Sequence, residues 1–211
     1  MKIVIAGGTG LVGKNVLEQL YKQSKHQVIA LTRKSLELNS PHQNQIIDWE
    51  KWQPENLEAD VFICALGTTI KAAGTKENFK KVDFEYVKKF AEAAKKSQAK
   101  KFIVVSANGA DKNSKIFYNQ VKGEMEAMLV NLQFNSLAIL RPSLLIGERE
   151  ESRPMEKCAQ LLMPKIDFLL QGSLSKYQTI NASIVASKII QLIEHQWQGT
   201  VILESDKIKQ I

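Results

Sequence analysis

Cysteine is scarce: Cys64 and Cys158 are the two among 211 residues, and they lie far apart in the chain. That excludes a disulfide framework and the paired spacings of a zinc ribbon. The histidines, His26, His42 and His195, are equally scattered and lack metal-ligand spacing, so no metal is expected. No apolar run approaches the roughly 18–20 residues that cross a bilayer. The first apolar run, Ile3–Ala6, breaks into glycines too soon for a secretory signal. A Gly-x-Ser-x-Gly elbow is missing as well, which removes the commonest signature of a serine hydrolase. There is no internal repeat and no low-complexity tract. A cytoplasmic chain in a reducing environment, away from membranes, is the expectation.

Composition adds little beyond this. Hydrophobic residues make up 44% and charged residues 24%, ordinary for a globular protein. The length suits a single domain spanning 1–211. The net charge of +7 raises the question of nucleic acid. Yet the lysines at 80, 81, 88, 89, 95, 96, 100 and 101 alternate with Glu77, Asp83, Glu85 and Glu92, as on the solvent face of a long helix. No nucleic-acid motif accompanies them, so no nucleic acid partner is expected. The excess charge would favour a polyanionic ligand, less so at high salt.

The informative stretch is the beginning. Ile3, Val4, Ile5 and Ala6 are followed by glycines at 7, 10 and 13, and then by the amphipathic pattern Leu11, Val12, Val16, Leu17, Leu20. The order is strand, tight turn, helix. It sets the positive end of a helix dipole beside a turn without side chains, where a pyrophosphate can rest on backbone. Gly7 allows the turn, Gly10 the approach of phosphate, and Gly13 close packing of the helix. The alternative is a merely structural turn.

A second apolar run, Gln27–Leu31, leads into Thr32-Arg33-Lys34. In dinucleotide-binding folds an acidic residue near this point holds the ribose 2′-hydroxyl of NAD, and arginine accommodates the phosphate of NADP. Arg33, twenty positions past Gly13, is basic. A guanidinium clamps phosphate bidentately and stacks on adenine, so NADP(H) is expected over NAD(H), with NAD(H) the weaker ligand. A solvated basic loop is the other reading.

Strand and helix alternate along the rest. Strands are predicted at Gln45–Trp49, Asp60–Ala65, Lys101–Val105, Leu137–Leu140 and Val201–Glu204, and helices at about 78–98, 114–132 and 181–195. This predicts an α/β protein: a Rossmann-type, doubly wound parallel sheet with helices on both faces. The less regular stretch 147–180, with Met155, Leu161, Met163, Phe168 and Tyr177, is either a small C-terminal cap over a substrate pocket or ordinary core.

After the fifth predicted strand comes Tyr118-Asn-Gln-Val-Lys122. Residues four apart on a helix share a face. Tyrosine, with a pKa near ~10, gives up its proton reluctantly. An adjacent ammonium lowers that pKa, which would let Tyr118 donate a proton to a carbonyl oxygen as hydride reaches the carbon. Lys122 could also hold a nicotinamide ribose.

With these segments in view, the chain resembles the short-chain dehydrogenase/reductase superfamily in its small atypical branch, and more narrowly the Tat-interacting-protein oxidoreductase family. The matching segments are Gly7–Gly13, Thr32–Lys34, Leu66-Gly-Thr-Thr69, Val82-Asp83 with Tyr86-Val87, Gly109-Ala-Asp111, Tyr118–Glu124, Arg141-Pro142 with Leu144-Leu145, and Glu151-Ser-Arg-Pro154. The resemblance implies that Thr9, Gly10, Leu11 and Val12 meet the pyrophosphate, and that Thr32 and Arg33 hold the adenosine end. It implies Leu66 and Gly67 for the central part and Leu145 and Arg153 for the nicotinamide side. Tyr118 and Lys122 match the catalytic pair. The third superfamily residue, a serine after strand five, is either Ser106 or, if the matching position is Ala107, missing here, with Ser106 a strand cap and Asn108 the substitute. Asp48, past strand three, either touches adenine or forms a turn. Trp49 and Trp52 are read as packing residues.

The implied function is an NADPH-dependent oxidoreductase acting on a small carbonyl or alcohol. The alternative is a non-catalytic NADPH-binding regulator or redox sensor that works through a protein partner.

Overall fold

Short, nearly uninterrupted apolar runs suit strands buried on both faces, and five of them, flanked by two more exposed edge strands, form one seven-stranded sheet in the computed structural model, which describes residues 1–23, 25–36, 42–54, 57–147 and 172–210. The strands are β1 (Lys2–Ala6), β2 (Gln27–Thr32), β3 (Gln43–Ile46), β4 (Val61–Cys64), β5 (Lys101–Val105), β6 (Ser136–Arg141) and β9 (Gly199–Glu204). Their order is β3-β2-β1-β4-β5-β6-β9 and every pairing is parallel. β1 lies between β2 and β4, with Val4 opposite Ile29 on one side and Phe62 on the other.

The pleat divides the core in two. Val4, Ala6, Phe62, Cys64, Phe102 and Val104 face helices α4 (Tyr86–Lys96) and α5 (Phe117–Asn131). Ile3, Ile5, Val61, Ile63 and Ile103 face α1 (Leu11–Gln23) and α6 (Ala182–Glu194). This is the expected doubly wound, Rossmann-type arrangement. Chain reversal between β1 and β4 leaves a crevice at the carboxyl ends of the strands, the usual ligand position in such sheets.

Several boundaries differ from the sequence expectation. The third strand is Gln43–Ile46 rather than Gln45–Trp49, because the Asp48 carboxylate accepts from the Glu50 amide and the Asp48 carbonyl from Trp52, which turns the chain away. The helix expected over 78–98 is three pieces: α3 (Lys76–Lys80), a π-helical turn (Lys81–Glu85) and α4, preceded by the short α2 (Ile70–Ala73). Thr69 caps α2 and Thr75 caps α3, each accepting from an amide three residues on. Neither the two-residue pairing of β7 (Leu145–Ile146) with β8 (Ile180–Asn181) nor α7 (Ser205–Ile208) is visible in the residue pattern. Arg153 and residues 148–171 of the expected cap lie outside the described residues.

Candidate active site

The glycine turn is built as tightly as its spacing requires. Gly7 has φ +84°, and a Cβ there would lie 2.4 Å from the Ala65 carbonyl. A Cβ on Gly13 would fall 2.1 Å from the Gly7 carbonyl oxygen, so the first turn of α1 packs on the turn's own backbone. The Gly10 amide donates to that same oxygen at 3.0 Å. Thr9 and Gly10 are exposed at the helix start, and the first turn carries no acidic side chain. First-turn amides have no acceptor within their own helix, so an anion fits here. Leu11 lies against Gly147, just past β7, which brings the glycine turn and the Leu145 segment together. Val12 is buried behind the turn.

At the end of β2 the side chains divide their work. Thr32 is buried; its hydroxyl donates to the Lys34 carbonyl and accepts from the Asn44 amide, both at 2.6 Å. Thr32 and Asn44 therefore shape the loop. Arg33 is exposed and pairs with no carboxylate among the described residues, so its guanidinium is available to a phosphate. Asp48 forms a turn, as one of its two readings held, and is exposed beyond it.

Lys122, Tyr118 and Glu126 are spaced by four on α5 and form a stripe with two separate neighbourhoods. In the first, the buried Lys122 ammonium lies 2.7 Å from the Asp83 carboxylate in the π-helical turn. The other Asp83 oxygen accepts from the Thr68 amide at 2.9 Å. Exposed Gly67 lies alongside: a Cβ there would be 3.5 Å from Asp83 Oδ1 and 3.8 Å from Lys122 Nζ. The loop after β4, expected to meet the central part of a dinucleotide, is thus tied to the expected catalytic lysine. Asp83 is fully buried, which corrects the expectation that it joins the solvent-facing charges. The spacing Phe79, Asp83, Val87 places it on the buried face, a signal present in the sequence.

Tyr118 packs its ring 5.4 Å from that of Phe79, and among the described residues its hydroxyl has no hydrogen-bond partner. Burial pushes its phenol above the ordinary value; Lys122 pulls it down and Asp83 pushes it further up. The expectation that Lys122 lowers the phenol is therefore corrected: its pull is real, but burial and Asp83 exceed it. For Lys122 the largest influence, burial, acts downward, yet the charges of Asp83 and Tyr118 hold it above the usual lysine range.

The second neighbourhood belongs to Ser106. It is buried and donates to Glu126 at 2.5 Å. Glu126 takes two hydrogen bonds from Arg141 Nε and one of 2.6 Å from Nη2, while Nη1 reaches Glu204 at 3.0 Å. The Ser106 hydroxyl is thus engaged in a network joining β5, α5, β6 and β9, whereas Tyr118 and Lys122 are gathered with Asp83. Asn108 is also occupied, its amide donating to the Lys176 carbonyl at 2.7 Å.

Two resembling segments prove to be one packing unit. A Cβ on Gly123 would lie 2.2 Å from the Asp111 carbonyl carbon, and the Asp111 amide donates to the Asn119 carbonyl at 3.0 Å. The loop Gly109–Asp111 is seated on α5 beside Tyr118 and Lys122.

A parallel sheet in this strand order, a glycine turn after its first strand and a basic residue after its second define a pyridine-nucleotide-binding protein. The NAD(P)H-binding family model matches residues 7–154, and the chain belongs to that family. It is 38% identical over 166 residues to Protein HTATIP2 of Rattus norvegicus, covering 75% of this chain and 68% of that protein. It is 34% identical over 160 residues to Protein FMP52-1, mitochondrial, of Scheffersomyces stipitis, covering 72% and 71%. Among solved structures it resembles MoeE5 in complex with UDP-glucuronic acid and NAD, with TM-score 0.73, 14% identity, and coverage of 96% and 75%. A UDP-glucuronic acid 4-epimerase from Bacillus cereus in complex with NAD superposes with TM-score 0.71 at 17% identity, over 97% and 78%. These two likenesses speak to the fold. No helix among the described residues is long and apolar enough to cross a membrane.

Proposed function

We propose that the protein is an NADPH-dependent oxidoreductase that reduces a small carbonyl compound, with Tyr118 as proton donor. One observation carries this reading. The Tyr118 hydroxyl is left without a protein partner among the described residues, one helical turn from Lys122, and Lys122 adjoins Gly67 at the crevice where the glycine turn opens.

In this reading the Gly7–Gly13 turn holds the pyrophosphate, Arg33 the 2′-phosphate, and Gly67 the central part. Leu145 and Arg153 take the nicotinamide side. When bound, the reduced nicotinamide supplies hydride. Lys122 is ion-paired with Asp83, and its three N–H groups give it donors to offer ribose hydroxyls as well. Tyr118 gives its proton to the carbonyl oxygen. Ser106 is better suited to holding Glu126 than to orienting substrate. NADPH preference is supported by Arg33, which is exposed and pairs with no carboxylate among the described residues. Isolated cysteines, with Cys64 buried, suit any reducing compartment, either the cytoplasm or the mitochondrial setting in the yeast relatives' names.

A second reading is a non-catalytic NADPH-binding regulator acting through a protein partner. It draws support from the engagement of Ser106 with Glu126 and of the Asn108 amide nitrogen with the Lys176 carbonyl, which turns both side chains to structural partners. NADPH oxidation by the purified protein across aldehydes, ketones and quinones separates the two. Turnover without any partner supports the reductase. Binding of NADPH without turnover, together with a partner complex that forms only with NADPH, supports the regulator.

A further inference from the structure

Burying two opposite charges costs several kcal/mol per ion, so a deep ion pair persists only where geometry and further hydrogen bonds hold it. Lys122 is 3% exposed and Asp83 0%. The Asp83 carboxylate has two tethers from different elements, the Lys122 ammonium on α5 and the Thr68 amide in the loop after β4. Its backbone belongs to a single π-helical turn between two α-helical pieces, a local widening that recurs at functional sites.

Among the described residues, few charges surround Tyr118. Lys122 shares its helix face, and Asp83 pairs with Lys122 from the π-helical turn, close enough for its charge to be felt at the phenol. Cys64, from β4, is a neutral thiol pushed up to about 12 by burial. Lys76, on α3, is exposed and rests over the neighbouring Phe117 ring, and Lys80 is paired with Glu124. Among the described residues Lys122 is therefore the cation nearest in influence to the phenol, and Asp83 is its counter-ion.

We propose that Asp83 is a positioning residue of this site: it holds the Lys122 ammonium to the Gly67–Thr68 loop and offsets its charge at Tyr118, so that Tyr118 is kept as a proton donor and not as a resting base. The proposal rests on the reductase reading and specifies its direction. During reduction the Tyr118 O–H bond breaks as an O–H bond forms on the carbonyl oxygen, which has received the electron pair displaced by hydride addition. The phenolate then recovers its proton from water. Alcohol oxidation needs the phenolate first, and Asp83 disfavours it.

The test uses full-length protein carrying 13Cζ-tyrosine, without nucleotide or substrate, with Tyr118 assigned by its loss in Tyr118→Phe. The Tyr118 resonance is followed by NMR as pH rises. In the wild type its midpoint should lie above the free-tyrosine value near ~10. In Asp83→Asn, which keeps side-chain size and an oxygen for Thr68, it should fall by at least about one pH unit. An unchanged or raised midpoint in that variant overturns the proposal. Should the variant not fold, a wild-type midpoint below ~10 overturns it on its own. A purely structural Asp83 would lower the melting temperature and leave the midpoint in place. Because no turnover is measured, failure of the reductase reading would leave this outcome readable.

Discussion

Gly13 sits so close to Gly7 that a single methyl on it would meet the Gly7 carbonyl oxygen at 2.1 Å. Gly10, by contrast, would carry a Cβ 3.3 Å from the same oxygen, a contact the backbone can absorb with a small shift. The two glycines therefore separate folding from binding. Gly13→Ala should destabilise the protein by at least about 2 kcal/mol through backbone overpacking. Gly10→Ala should keep its melting temperature and weaken NADPH binding at least about tenfold, because its methyl occupies the approach to the helix N-terminus. Thermal melts and a fluorescence titration check both.

Arg33→Ala should leave stability within about 0.5 kcal/mol, since the side chain is exposed and unpaired among the described residues. NADPH affinity should drop about 10–100-fold while NADH affinity holds, which reflects loss of a charge-assisted phosphate contact. Equal losses for both nucleotides would contradict the assignment of Arg33 to the 2′-phosphate.

Much of this site was legible because its signals are local. The Gly7–Gly13 turn, Arg33 and the Tyr118–Lys122 pair each declare themselves within a few residues, and β1, β4 and β5 are continuous apolar runs. What escaped depends on tertiary partners. Asp83 stands among surface charges in the sequence, and its place between Phe79 and Val87 on the apolar stripe gains its meaning only from the Lys122 partner on α5. The Ser106 hydroxyl takes Glu126, twenty residues away, and nothing near Ser106 announces that choice. β7 and β8 are two residues each with a long insertion between them, too short for any periodicity.

Ser106→Ala removes a buried donor and leaves Glu126 with Arg141. The expected result is a stability loss of about 1–2 kcal/mol and a change in kcat of less than about tenfold. A fall of about a hundredfold or more in kcat with an unchanged melting temperature would instead restore Ser106 as a substrate-orienting group.

Acid stability should depend in part on Asp60, which joins the starts of three strands. Its carboxylate takes Lys100 at 2.8 Å and the Lys2 amide at 2.9 Å, and these contacts, Lys100 first, hold it below the usual aspartate range. A depressed folded-state pKa gives stability that is complete above the unfolded value near ~3.9 and is lost as pH falls through the folded one. Asp60→Asn should cost about 0.5–1 kcal/mol at neutral pH, a small effect because the pair is partly exposed. The deficit against wild type should shrink in melts taken toward about pH 3.

In the proposed reaction Tyr118 supplies a proton during NADPH-dependent reduction of a carbonyl. The most direct measurement compares wild type with Tyr118→Phe in NADPH oxidation on one carbonyl substrate from the panel, with NADPH affinity measured in parallel. Since the hydroxyl has no partner among the described residues, its removal should spare the fold and leave the NADPH Kd within about twofold, while kcat falls at least about a hundredfold. Undiminished turnover in Tyr118→Phe would mean that the proton comes from another group.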